Sequence, residues 1–198
     1  MSEIRKKKVA VLVSGGGSNM HQLIKNGIEI ECIISDRICG AENIAKENKI
    51  PFYMFDRKTT DVSKEILKLL KKHTIDLVVL AGFLSILSNE LLSKYQNKII
   101  NIHPSLLPKY GGFGMHGMNV HKEVFKNKEV ESGCTVHYVN QEIDGGEIIE
   151  QEKVDISKAK SPEEIQKLVL EKEWILLPRV VKKLIKFWNR SYKWKKEL

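Results

Sequence analysis

Val9-Ala10-Val11-Leu12-Val13 runs directly into Ser14-Gly15-Gly16-Gly17-Ser18-Asn19, and this junction decides the fold. A continuous apolar run reads as a strand buried on both faces, because a strand with one wet face would alternate. The glycines then form a tight turn, and Met20, Leu23 and Ile24 recur at helical spacing until Gly27 stops them. Strand, glycine turn and helix open an α/β unit. In such units the first turn faces ligands, at the carboxyl ends of the strands.

The alternation continues outward. Residues 31–35, 52–55, 76–81 and 99–103 read as strands, with helices over 41–48 and about 63–73 between them. A loop rich in Gly and Pro fills 104–118, and a helix follows near 121–127. Residues 134–139 alternate like a half-buried strand, and 147–156 is a last strand at an antiparallel edge. A long helix starts at the Ser161-Pro162-Glu163-Glu164 capping signal and runs toward Trp188, with Pro178 expected to kink or split it. The expected class is α/β and Rossmann-like: a mostly parallel, twisted sheet with helices on both faces and an antiparallel edge strand. One domain spanning 1–198 is the economical reading.

Composition narrows the function. No apolar run nears the roughly 20 residues that cross a bilayer, and Arg5-Lys6-Lys7-Lys8 precedes only the short run from Val9 to Val13, so neither a membrane span nor a secretory signal is expected. Cys32, Cys39 and Cys134 form no close pair, which points to reduced thiols in a cytoplasm. The spacing of Cys and His supports no metal site. The net charge of +8 gathers partly in a tail, 182–196, that also carries Trp188, Tyr192 and Trp194. Such a tail suits a nucleic-acid surface, or else a solvated helix face with a steering field for anionic substrates. The second reading is favoured, because the motifs are those of small-molecule chemistry and no nucleic-acid-binding module is present.

Three sites carry that chemistry. The glycine turn lets backbone approach an anion, and the next helix offers unpaired N–H groups, with Ser18 and Asn19 as caps or phosphate donors. A dinucleotide fingerprint would need a third glycine where Met20 stands, although Asp36 would suit a ribose hydroxyl; a single phosphate cradle fits better. Asn101 and His103 lie two apart, so both side chains leave one face of a strand that Pro104 ends. An amide donor beside an imidazole suits chemistry that develops negative charge on a carbonyl oxygen. Asp144, in an Asp-Gly-Gly turn, could pair with His103 and raise the pKa of the imidazole if its loop folds over the strand ends.

Taken together, Val13–Asn19 in the turn, Val78-Val79-Leu80-Ala81-Gly82-Phe83 with Ile86-Leu87-Ser88, Asn101-Ile102-His103-Pro104-Ser105-Leu106-Leu107-Pro108, Gly133-Cys134-Thr135-Val136-His137 and Asp144-Gly145-Gly146 resemble the phosphoribosylglycinamide formyltransferase family. They come in family order over nearly the whole chain. The resemblance implies transfer of a formyl group from 10-formyltetrahydrofolate, a cosubstrate, to the amine of phosphoribosylglycinamide in purine synthesis, with no metal or bound cofactor. It gives Gly17, Ser18, Asn19, Met20, His21 and Glu173 to the ribonucleotide. Leu84, Ser85, Ile86, Leu87, Asn101 and Ile143 go to the folate pocket. Asn101, His103 and Asp144 go to the chemistry, where Asp144 would keep His103 charged. Thr135 and His137 resemble supporting partners of the catalytic water and loop. Two departures stand out: Ser85 where a basic residue is common, and Leu170 where a polar ribose contact is frequent. The implied partners are small molecules, neither nucleic acid nor membrane, and the implied state a cytoplasmic monomer or homodimer.

The rivals are a methionyl-tRNA formyltransferase, which adds a C-terminal RNA-binding domain, and a formyltetrahydrofolate hydrolase, which usually carries an N-terminal regulatory one. A non-catalytic nucleotide-binding module could use the same glycine turn; the Asn101–His103 pair argues against it.

Overall fold

The computed structural model describes residues 5–194, with side chains to residue 189. Of the basic tail, the side chains of Tyr192 and Trp194 and all of 195–198 lie outside the described residues. The chain alternates through β1 (Val9–Val13), α1 (Ser18–Lys25), β2 (Ile30–Ser35), α2 (Ala41–Glu47), β3 (Phe52–Met54), α3 (Val62–Lys72), β4 (Leu77–Leu80), α4 (Asn89–Lys94) and β5 (Ile99–His103). It finishes with α5 (Met118–Lys126), β6 (Glu131–Tyr138), β7 (Ile148–Asp155) and α6 (Pro162–Trp194).

The strands form one sheet in the order β3-β2-β1-β4-β5-β6-β7. The first five are parallel; β6 pairs antiparallel with β5, and β7 with β6. Every residue of β1 is fully buried, as its unbroken apolar run required. The pleat sorts that run into two layers: Val9, Val11 and Val13 pack with α1, α2, α5 and α6, while Ala10 and Leu12 pack with α3 and α4. Chain order reverses direction across the sheet between β1 and β4, which opens a crevice at their carboxyl ends.

Three expectations need correction. β6 is not half-buried: from Ser132 to His137 it is buried on both faces. Its Cys134 and Val136 pack into the α6 layer, and its other face is covered by the segment after β5, where Thr135 bonds to Ser105. Pro178 does not split α6, which runs unbroken through it. Leu176, Leu177, Val180 and Val181 around the proline are all fully buried, so packing holds the helix where a backbone hydrogen bond is missing. The helix α4, capped by Ser88 accepting from Leu91 N–H, was not foreseen because it is so short. The Ser161 signal behaves as read: its hydroxyl accepts from Glu164 N–H at 3.3 Å.

The outer strand β7 is partly exposed and its acidic side chains are engaged from α6. Arg179 pairs with Glu150 and Glu152, and Lys183 with Glu150. No helix among the described residues is long and apolar enough to cross a membrane.

Candidate active site

The glycine turn after β1 delivers the chain into α1 through Gly17, whose φ is 77°. A Cβ there would sit 3.0 Å from the Ala41 Cβ, so glycine is what lets α2 close against the turn. No side chain caps α1, so of the two roles open to Ser18 and Asn19 the cap is not the one used, and the first N–H groups of the helix are left for a ligand. Asn19 instead reaches across to α6, donating from Nδ2 to Glu173 Oε2 at 2.6 Å. Burial pushes the Glu173 carboxyl up to about 7, against the pull of Asn19. Asn19 Oδ1 is buried with no protein partner, and both residues border the cavity. Met20 is a fully buried core residue and His21 N–H bonds back to Gly17, so neither side chain borders the cavity.

Asn101 and His103 occupy adjacent same-face positions at the end of β5, where antiparallel β6 sets Asn101 opposite His137 and His103 opposite Thr135. Asn101 Nδ2 lies 3.1 Å from His137 Nε2, and His137 Nδ1 lies 2.9 Å from the Tyr138 carbonyl. One tautomer satisfies both: Nδ1–H donates to the carbonyl and Nε2 accepts from the amide. His103 Nε2 donates to the Tyr110 carbonyl at 2.8 Å, which leaves Nδ1 as the working nitrogen.

Asp144 reaches this pair from the loop between β6 and β7. Its backbone sits at a φ of 56°, and Gly146 beyond it lies so close to the Tyr138 carbonyl that no side chain would fit. Asp144 Oδ2 stands 3.4 Å from His103 Nδ1 and accepts from Gly112 N–H at 3.0 Å; Oδ1 lies 3.7 Å from His137 Nε2. Burial works against ionisation of Asp144, but His137, His103 and the Gly112 N–H together hold its carboxyl below the usual range. For His103 the balance runs opposite to expectation. Burial draws the imidazole below its ordinary pKa and outweighs the upward pull of Asp144 and the Tyr110 carbonyl. Both ring nitrogens nevertheless face acceptors, so the surroundings suit an imidazolium that burial disfavours.

A cavity of about 580 Å³ joins these pieces. The glycine turn, Asn19 and Glu173 border it, as do Asn101, His103, His137 and Asp144, and an apolar wall of Leu84, Ile86, Leu87 and Ile143. Ile86 is 71% exposed and Phe113, opposite on the glycine-rich loop, 89%, so much of this apolar lining faces open solvent.

Residues 7–181 match the family model described as formyl transferase. The chain belongs to the formyl transferase family. It is 38% identical over 191 residues to the chloroplastic phosphoribosylglycinamide formyltransferase of Arabidopsis thaliana, covering 90% of this chain but only 65% of that relative's length. The phosphoribosylglycinamide formyltransferase of Haemophilus influenzae is 37% identical over 187 residues, covering 89% of this chain and 86% of the relative. Among solved structures, that of phosphoribosylglycinamide formyltransferase from Anaplasma phagocytophilum superposes with a TM-score of 0.85 at 36% identity, over 92% of this chain and 88% of its own.

In this member of the formyl transferase family, two expected residues serve the frame of the site. Thr135 is fully buried and does not border the cavity; its hydroxyl donates to the Ser105 carbonyl at 2.6 Å and accepts from Leu107 N–H and Gln151. It braces the turn after His103. Ser85 borders the cavity, but its hydroxyl donates to Asp36, and Asp36 is thereby closed to any ribose.

His121, on α5, was missed. It is 2% exposed, borders the cavity, and its Nδ1 has no protein partner; burial, with His103 nearby, lowers its pKa to about 4. A histidine on the apolar face shared by Val120 and Val124 was the available signal. Among the described residues, no group of three or more His, Cys, Asp or Glu is placed to hold a metal ion.

Proposed function

We propose that this chain transfers the formyl group of 10-formyltetrahydrofolate to the amine of phosphoribosylglycinamide. The observation that carries the reading is the convergence of Asn101, His103 and Asp144 on one cavity, between an anion-ready helix start and an apolar wall. The names of the relatives point the same way.

The ribonucleotide phosphate lies on the glycine turn, Gly17 and the N–H groups of Ser18, Asn19 and Met20, with its ribose toward Glu173; the N–H of His21 is taken by the Gly17 carbonyl. The pterin lies against Leu84, Ile86, Leu87 and Ile143. The amine attacks the formyl carbon; a C–N bond forms and the carbonyl oxygen takes the electron pair. Asn101 donates a hydrogen bond to that oxyanion from Nδ2, and protonated His103 donates a second from Nδ1 while keeping its proton. The oxygen's pair then returns and the bond to the folate nitrogen breaks. The proton lost by the amine reaches that nitrogen through water beside Asp144 and His103. Asn101 thus acts in both the folate pocket and the chemistry.

The same reading makes the partners small molecules, with neither nucleic acid nor membrane involved. It places the chain in the cytoplasm as a one-domain monomer or homodimer; the three unpaired cysteines support a reducing compartment. A spectroscopic assay with both substrates tests it. Formyl transfer that requires phosphoribosylglycinamide is expected. Hydrolysis without an acceptor, or binding without turnover, would reject the reading.

A further inference from the structure

Ser14, Asp36 and Ser85 follow three different strands, β1, β2 and β4, and meet at one buried carboxylate. Asp36 is fully buried. Its Oδ1 and Oδ2 accept from Arg37 Nε and Nη2, each at 2.9 Å, a bidentate pair. Ser85 Oγ donates to Oδ2 at 2.6 Å, and the nearby Ser14 hydroxyl adds to what favours the charged carboxylate. Ser14 in turn ties the two loops together. Its Oγ accepts from Leu84 N–H at 2.9 Å, and its own N–H donates to the Gly82 carbonyl at 3.0 Å. Burial opposes the charge, yet Arg37, Ser85 and Ser14 hold the Asp36 carboxyl at about 2, so it is ionised throughout the working range.

The segment that this hub secures needs securing. Leu87 is anchored in the core, but Leu84 is 43% exposed and Ile86 71%, so packing alone fixes the middle of the wall poorly. Hydrogen bonds to a charged acceptor are the stronger kind, and these bonds join the wall to the first residue of the glycine turn.

We propose that Asp36 is a positioning residue: through Ser85 and Ser14 it sets the wall at 84–87 in register with the phosphate cradle, and Ser85 acts on folate through Asp36 instead of touching the ligand. The inference rests on the folate reading above. It assigns position 85 the part of a strut, and it makes the geometry between the two substrate regions depend on one carboxylate outside both.

A double-mutant cycle on the full chain tests it, reading the Kd for 10-formyltetrahydrofolate and the KM for each substrate in Ser85→Ala, Asp36→Asn and the double variant. Ser85→Ala should weaken folate binding by about tenfold and move the KM of the ribonucleotide far less. The double variant should be no weaker for folate than Asp36→Asn alone. Multiplying effects would mean that Ser85 contacts the ligand directly, and an unchanged Kd in Ser85→Ala would mean that the strut is idle; either overturns the proposal. If Asp36→Asn does not fold, the Ser14→Ala and Ser85→Ala cycle reads the same coupling, with additivity again the overturning result. A wild-type chain that binds no folate would reject the functional reading itself, and this inference with it. A wild type that binds while the cycle is additive rejects this inference alone.

Discussion

His103 Nδ1 stands 3.4 Å from Asp144 Oδ2 while its Nε2 donates to the Tyr110 carbonyl at 2.8 Å, so the ring is met at both nitrogens, by the loop that follows its own strand and by the distant loop after β6. The contact to Asp144 is longer than an ordinary hydrogen bond, which leaves Nδ1 able to serve a reacting oxygen once the ring is protonated. Asp144→Asn removes the charge that opposes the burial penalty. The pKa of His103 should fall further below its ordinary value, followed by NMR titration, and turnover should drop about 100-fold. An unmoved titration would remove Asp144 from the pair.

His103→Ala takes away the hydrogen-bond donor but nothing from the cradle at the start of α1. Turnover should fall roughly 10²- to 10⁴-fold while the ribonucleotide still binds, which calorimetry would report. Wild-type turnover in this variant would end the catalytic assignment.

Glu173 predicts a dependence of stability on pH. Its carboxyl titrates near 7 in the folded chain against an ordinary value of 4.5. Between those values the native state holds the extra proton, so stability falls as pH rises through the window and is greatest below it. The loss is at most roughly 3 kcal/mol, since each pKa unit is worth about 1.4. Glu173→Gln keeps an acceptor for Asn19 and should flatten the slope in urea melts across that range. Identical slopes in the two proteins would refute the assignment.

Thr135→Val keeps shape but deletes the hydroxyl that serves Ser105, Leu107 and Gln151 at once. Each buried group left unpaired costs about 1–3 kcal/mol, so a loss of at least ~2 kcal/mol is expected by chemical denaturation, with reduced turnover as the turn after His103 loosens. A variant as stable as wild type would show that water replaces the hydroxyl without cost.

Much of this was legible from local pattern. The unbroken apolar run of β1 and the glycines after it announced a buried parallel strand and a ligand turn, and the two-residue spacing of Asn101 and His103 put them on one face. What escaped depended on contacts between distant segments. Whether Asp144 reaches His103 is a matter of how a loop folds, and the direction of the His103 pKa depends on burial, which no spacing reports. β6 alternated on paper, yet a second layer covers the face that would have been wet. Ser85 reads as a ligand contact and does border the cavity, yet its hydroxyl bonds to Asp36, which follows a different strand and which no local pattern connects to it.

The bond between Asn19 and Glu173 joins the first helix of the chain to its last. During synthesis on the ribosome, the strand, turn and helix that begin the cradle emerge early, but the residue that closes it follows only after almost every other element has left the exit tunnel. An unfinished chain therefore holds the glycine turn and the first helix without the far wall of the cavity. The cavity gains that wall only when the C-terminal helix docks.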